Sequence, residues 1–163
     1  MSLTSLKPLK PMNKEELKYW LSSNFPSCPL EETRDFVVLR VKKEVIVETA
    51  RKLKDSKETA FDFLFCETAV DLKTSIDLLY HLSSNTFRHD LLVKVTMEDR
   101  NAPEIESVYS IWKAADLYEC EIYDLMGIRF LNHPNLRRLF LGDEWIGYPL
   151  RKDYKDDVNV ISL

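Results

Sequence analysis

The side chains that could do chemistry crowd between Leu117 and Tyr154. The run L-Y-E-C-E-I-Y-D-L-M-G sets Glu119, Glu121 and Asp124 within about two helical turns. On a helical wheel, Glu119 and Glu121 flank an apolar stripe of Tyr118, Ile122, Leu125 and Met126 on opposite sides. Asp124 lies on the side of Glu121, three residues on. A carboxylate beside an apolar face is costly unless something pairs with it. The next run, I-R-F-L-N-H-P-N-L-R-R, offers Arg129, His133, Arg137 and Arg138 as partners. Arginine presents a planar fork that takes a carboxylate in two parallel hydrogen bonds. The simplest account is an internal charge network that locks a helix to the loop after it. A merely solvated charged face is the plainer alternative.

Two carboxylates and a histidine can also do general acid–base work, here with Glu119, Asp124 and His133. Against this, His133 precedes Pro134 in an expected turn, and neither G-x-S-x-G nor H-E-x-x-H occurs. The last group is W-I-G-Y-P-L-R-K-D-Y. It combines Trp145, Gly147 and Pro149 with Arg151, Lys152, Asp153 and Tyr154. Aromatic residues and arginine are favoured where protein surfaces bind one another. An arm packed on its own domain fits the same residues equally well.

Several elements must position these groups. Asn13 followed by Glu16 predicts a capped helix bearing Leu17, Trp20 and Leu21, ended by Pro26 and Pro29. Residues 36–41 (F-V-V-L-R-V) read as a buried strand. Residues 44–54 fit a helix whose β-branched start is ambiguous. Residues 61–72 read as a turn and a strand. Alternation at Ile76–Leu82 and Leu91–Met97, with a polar loop over Ser83–His89, predicts a long hairpin. Residues 107–126 look helical, with Gly127 as a left-handed cap. The expectation is one α+β domain: N-terminal helices on a mixed or antiparallel sheet, then a C-terminal helix and an extended arm. Its expected parts are a flexible tail over 1–12, the domain over 13–141 and an arm over 142–163.

Composition narrows the function. Hydrophobic residues make up 45% of the 163, the formal net charge is −4, and the pI is near 5.5. That balance gives no general drive toward nucleic acid or anionic lipid. No apolar run approaches the roughly 20 residues that cross a bilayer, and the start lacks the apolar core of a secretory signal. Cys28, Cys66 and Cys120 are far apart with no C-x-x-C, so no iron–sulfur or zinc motif is written here. Histidines 81, 89 and 133 suggest no metal site either. The only glycines are Gly127, Gly142 and Gly147, too scattered for a phosphate-cradling loop.

The stretch Glu119 to Arg138, E-C-E-I-Y-D-L-M-G-I-R-F-L-N-H-P-N-L-R-R, resembles the signature of the C subunit of bacterial NADH:quinone oxidoreductase, the thirty-kilodalton subunit family of respiratory complex I. W-x-G-x-P-L-R-K-D-Y is similar to the same family, as is the order of F-D-F-L, T-A-V-D-L, Y-H-L and S-V-Y-S-I-W. The resemblance covers roughly residues 35 to 155. Cys120 departs from it, standing where the family usually has arginine.

The resemblance implies a non-catalytic structural subunit of the hydrophilic arm, peripheral on the cytoplasmic side of the inner membrane. It would reach the membrane only through its complex. It implies docking to the neighbouring D subunit, which helps form the quinone site, and no flavin, cluster or quinone on this chain. The complex as a whole carries FMN, iron–sulfur clusters and quinone. The chain would then be an enzyme only as part of that translocase. By resemblance, Glu119, Glu121, Asp124, Gly127, His133, Pro134, Arg137 and Arg138 form the motif core. Trp145, Gly147, Pro149, Arg151, Lys152, Asp153 and Tyr154 close it, with structural and docking roles. No catalytic, cofactor-binding or metal-binding residue is expected. An equivalent scaffold in a membrane-bound hydrogenase-type complex is the alternative, followed by a stand-alone acid–base enzyme.

Overall fold

Asn13 opens the first helix as its spacing predicts. Its side chain accepts the Glu16 N–H at 2.9 Å, and Glu16 Oε2 accepts the Asn13 N–H at 2.9 Å. The structure is a computed structural model that describes residues 11–155. Most of the expected 1–12 tail, and the end of the 142–163 arm, lie outside the described residues. Helix α1 (Lys14–Asn24) buries Leu17 and Leu21 and stops before Pro26. Strands β1 (Leu30–Glu32) and β2 (Val37–Arg40) pair antiparallel. A 3-10 turn at Lys43–Val45 absorbs the ambiguous start of the next helix, α2 (Ile46–Asp55).

Strands β3 (Phe63–Asp71), β4 (Ile76–Ser83) and β5 (Asp90–Met97) follow. The β4–β5 hairpin runs in register from Ile76 opposite Met97 to Ser83 opposite Asp90, as the alternation predicts. The sheet order is β1-β2-β5-β4-β3, with β2 and β5 the parallel pair. Ile76, Leu78, Tyr80 and Leu82 join Leu21, Leu53 and Ile122 in one apolar cluster, so the helices and sheet share a core. The fold is therefore the α+β domain with a mixed sheet and a long hairpin that the sequence predicts.

The expected helix over 107–126 is corrected. Only α3 (Ala115–Met126) is helical. Before it, β6 (Glu104–Glu106) pairs in parallel with β7 (Arg129–Leu131), and turns lead into the helix. Ile111 and Trp112 are buried in those turns, and Trp112 Nε1 donates to the Phe61 carbonyl at 3.0 Å. Apolar residues at turn spacing imitate a helical stripe, and the parallel pair joins segments on either side of α3, beyond the reach of local pattern.

The stripe on α3 is also corrected. Ile122 and Met126 are buried, but Tyr118 and Leu125 are only half-buried. Cys120, on the side of the helix opposite that stripe, is fully buried. The loop after β7 covers that side, with Cys120 Sγ 3.5 Å from the Asn135 carbonyl. Gly127 ends α3 at φ 73°, its N–H donating to Tyr123 O at 3.0 Å. A Cβ there would lie 2.4 Å from the Tyr148 ring, so two constraints select glycine. No helix among the described residues is long and apolar enough to cross a membrane.

Candidate functional site

Helix α3 holds the acids, and the loop that follows β7 wraps over them. Asp124 is wholly enclosed. Its Oδ1 accepts from Arg138 Nη1 at 2.8 Å, and its Oδ2 accepts the N–H groups of Leu139, Phe140 and Leu141 at 2.9, 2.7 and 3.1 Å. Burial pushes this carboxyl upward, but the Phe140 N–H, Arg138 and the two neighbouring N–H groups outweigh it and hold the pKa below the usual value. Arg138 also donates to the Asp124 and Trp145 carbonyls at 3.1 and 3.3 Å. This is the helix-to-loop lock that the charge pattern predicts.

The other pairings differ from that prediction. Glu119 is buried, but a backbone amide, not an arginine, meets it: Oε1 accepts the Val108 N–H at 2.8 Å. Its Oε2 is buried without a hydrogen-bond partner, 3.9 Å from His133 Nε2. Burial raises the Glu119 pKa to about 7; Ser107 and the Val108 N–H pull it down, and the Asp116 charge adds to the rise. Glu121 is exposed and needs no partner. Arg137 is exposed and donates to the Asn135 carbonyl at 3.3 Å, and Arg129 is exposed on β7. The His133 side chain is fully buried. Its Nδ1 accepts the Asn135 N–H at 3.1 Å, and its Nε2 lies 3.2 Å from the Asp116 carbonyl. Pro134 after it is exposed. Asp116, absent from the sequence reading, is brought within 4.8 Å of both Cys120 and His133, counted between potential ligand atoms.

A second clasp ties the closing motif to the sheet. Asp71 accepts from Arg100 Nη2 at 2.7 Å and from the Lys73 and Lys152 N–H groups at 2.7 and 2.8 Å. Burial opposes ionisation, but the Lys152 and Lys73 amides, with Arg100, bring the Asp71 pKa down to about 2. Arg100 also pairs with Asp153 at 3.2 Å. Arg151 Nε donates to Met126 O at 2.7 Å and its Nη1 to Arg100 O at 2.9 Å, with its guanidinium 4.8 Å from the Tyr148 ring centre. Gly147 turns at φ 86°, where a Cβ would come 3.0 Å from the Tyr154 ring. The described part of the arm, up to Lys155, thus packs back on the end of α3. Pro149 is half-buried there, while Lys152 is exposed.

Sequence reasoning missed Asp71, Arg100 and Glu67. Glu67 is 4% exposed, and neither carboxylate oxygen has a partner. Burial, then the nearby Glu119, push its pKa well above the usual value. Strict alternation from Leu64 would turn Glu67 outward. A register shift between Leu64 and Cys66 changes the phase and turns it inward, opposite Tyr80, whose hydroxyl is also buried without a partner.

The side chains of Glu119, Asp124 and His133 have no solvent exposure. What the surface offers is apolar area. Ile146 is 90% exposed and Phe140 66%, with Trp145 and Leu150 beside them in sequence. A second exposed set, Phe63, Phe65 and Val70, lies on the edge strand β3.

Comparison with known proteins follows the same residues. A family model described as respiratory-chain NADH dehydrogenase, 30 Kd subunit, matches residues 39–159. The C subunit of NADH-quinone oxidoreductase from Moorella thermoacetica is 37% identical over 80% of this chain and 88% of its own. That of Citrifermentans bemidjiense is 40% identical over 82% and 84%. A joined C/D subunit of the same enzyme from Phocaeicola vulgatus is 40% identical over 77% of this chain, which spans only 24% of that longer protein. Among solved structures, a chain of the membrane-bound sulfane sulfur reductase, an archaeal respiratory membrane complex, superposes with a TM-score of 0.69. It is 26% identical and covers 88% of this chain and 86% of its own.

Proposed function

The chain belongs to the family of the respiratory-chain NADH dehydrogenase 30 kDa subunit, and from that premise we propose that it is a non-catalytic structural subunit in the peripheral arm of a proton-translocating NADH:quinone oxidoreductase. The family match carries the reading, because it runs from β2 through both clasps to the closing R-K-D-Y segment. Asp124 and Asp71, buried with both carboxylate oxygens engaged, suit a rigid body better than a reaction centre. Scattered glycines and isolated cysteines support a chain without a phosphate-cradling nucleotide loop or an iron–sulfur cluster, with electrons travelling through its neighbours.

The partner we propose is the quinone-site D subunit, on the cytoplasmic side of the membrane. Its support is that relatives such as that of Phocaeicola vulgatus are named as joined C/D proteins, which keeps the two parts adjacent. The exposed Ile146 and Phe140 supply apolar area for such a contact. Affinity capture of the tagged chain from detergent-solubilised native membranes tests this. Flavin- and NADH-binding subunits should be recovered with it. Migration only as a free small protein would end the proposal.

A second reading is favoured by the sulfane sulfur reductase likeness: the same scaffold in a related membrane complex, such as a hydrogenase-type assembly. Capture distinguishes it, because nickel-site subunits would replace the NADH-binding ones. The stand-alone acid–base enzyme is left without support by the burial of Glu119, Asp124 and His133.

A further inference from the structure

The loop that seals α3 brings together three potential metal ligands, Asp116, Cys120 and His133, with Glu119 beside the His133 ring. Asp116 and Cys120 are one turn apart on α3, and Glu119 lies between them in sequence. His133 reaches them from the covering loop. Ligand atoms of Asp116, Cys120 and His133 all lie within 4.8 Å of one another. Asp116 Oδ1 is 3.4 Å and Glu119 Oε2 3.9 Å from His133 Nε2.

Two of these atoms are out of balance. Asp116 Oδ1 and Glu119 Oε2 are buried without hydrogen-bond partners, and the Glu119 side chain is fully enclosed. Among the described residues, no lysine or arginine pairs with either. The Asp116 side chain is otherwise 42% exposed, but its Oδ1 and Glu119 Oε2 turn inward toward the His133 ring with no lysine or arginine beside them, and a bound cation would satisfy both.

We propose that Asp116, Cys120 and His133, with Glu119 as the fourth ligand, form a binding site for a borderline-soft divalent cation of the zinc type. The donor set of one sulfur, one nitrogen and carboxylate oxygens suits Zn²⁺ and disfavours Mg²⁺ or Ca²⁺, which take oxygen alone. A tetrahedral site with bonds of about 2.0–2.3 Å needs ligand atoms about 3.3–3.8 Å apart. The Asp116–His133 separation of 3.4 Å lies in that range, the Glu119–His133 separation of 3.9 Å lies just outside it, and the Cys120 thiol, within 4.8 Å of Asp116 and His133, would have to move inward on binding.

Binding has a proton balance. The Cys120 thiol proton, and any proton on the Glu119 carboxyl, leave to solvent. Because Nδ1 of His133 accepts the Asn135 N–H, the neutral ring carries its proton on Nε2. That proton moves to Nδ1 as the metal takes Nε2, and the exposed Asn135 peptide turns away to admit it. The site therefore closes on the ion instead of standing preformed. Zn²⁺ has no redox chemistry of its own. It would staple α3 to the covering loop without adding an electron path. Such a staple is independent of the assembly proposed above.

The test uses the full chain, stripped with chelator and titrated with Co²⁺ and then Zn²⁺. One equivalent of Co²⁺ should produce a near-ultraviolet thiolate-to-cobalt band and the intense visible bands of a four-coordinate site. Zn²⁺ should displace it. The double variant Cys28→Ser/Cys66→Ser, whose replaced thiols lie outside the cluster, should keep the band. Cys120→Ser should lose it, and His133→Gln should weaken Zn²⁺ binding by more than about 10-fold. A folded wild-type chain that gives no thiolate–cobalt band, or a band lost in the double variant, overturns the proposal. So does full affinity retained in a folded Cys120→Ser.

Discussion

Asp124 and Glu67 are both buried carboxyls, and their surroundings give them opposite signs. Asp124 has a partner for each oxygen, and its pKa is lowered. It contributes stability that is fully present above the unfolded value of about 4 and is lost as pH falls through the lower folded value. Asp71 behaves likewise, losing its contribution between about 4 and about 2. Asp124→Asn leaves Arg138 without its carboxylate and should cost about 3 kcal/mol at pH 7 in urea denaturation, with a flatter acid limb. Glu67 has no partner for either oxygen, and its pKa is raised. The folded state then holds a proton that the unfolded chain releases, so stability falls as pH rises above the unfolded value of about 4.3. Glu67→Gln should remove its share of that decline, Glu119 keeping its own, and stabilise the chain at pH 8 by on the order of 1 kcal/mol. Urea midpoints of both proteins across pH 5–9 check it; parallel curves would contradict the assignment.

Elements were legible where they announce themselves locally. The capping box at Asn13 and Glu16, the alternating strands β4 and β5, and the Gly127 cap all lie within a few residues of their cause. The β6–β7 pair does not, because its two strands meet only once α3 has folded between them. The phase change in β3 is invisible for a related reason: a bulge is set by pairing with β4, not by β3's own residues. On α3, the Asp124–Arg138 lock could be read from charge and spacing. Burial of Cys120 could not, since the loop that covers it is irregular. Gly127→Ala should destabilise by more than about 1–2 kcal/mol, the cost of a left-handed alanine alone, because its Cβ also meets Tyr148. In Gly127→Ala/Tyr148→Ala the two losses should add to less than their sum, as denaturation of the four proteins in the cycle would show.

At the scale of the whole molecule, two clasps join the last described segment to the body. Asp124 holds the loop to α3, and Asp71 with Arg100 holds Lys152 and Asp153 to the sheet. Between the clasps, Ile146 stands 90% exposed. A rigid frame that presents an apolar tip suits docking. Ile146→Glu should leave the isolated chain's stability within about 0.5 kcal/mol, as an exposed change does, yet reduce the partners captured from membranes.

The most direct measurement is the size and composition of the assembly that retains the tagged wild-type chain when native membranes are solubilised in mild detergent and resolved on a native gel. One large oxidoreductase band should contain the chain in stoichiometric amount with NADH- and quinone-site subunits. Recovery of the chain solely at its own 19.2 kDa, with the large band intact and lacking it, would show that the chain is no subunit of that assembly.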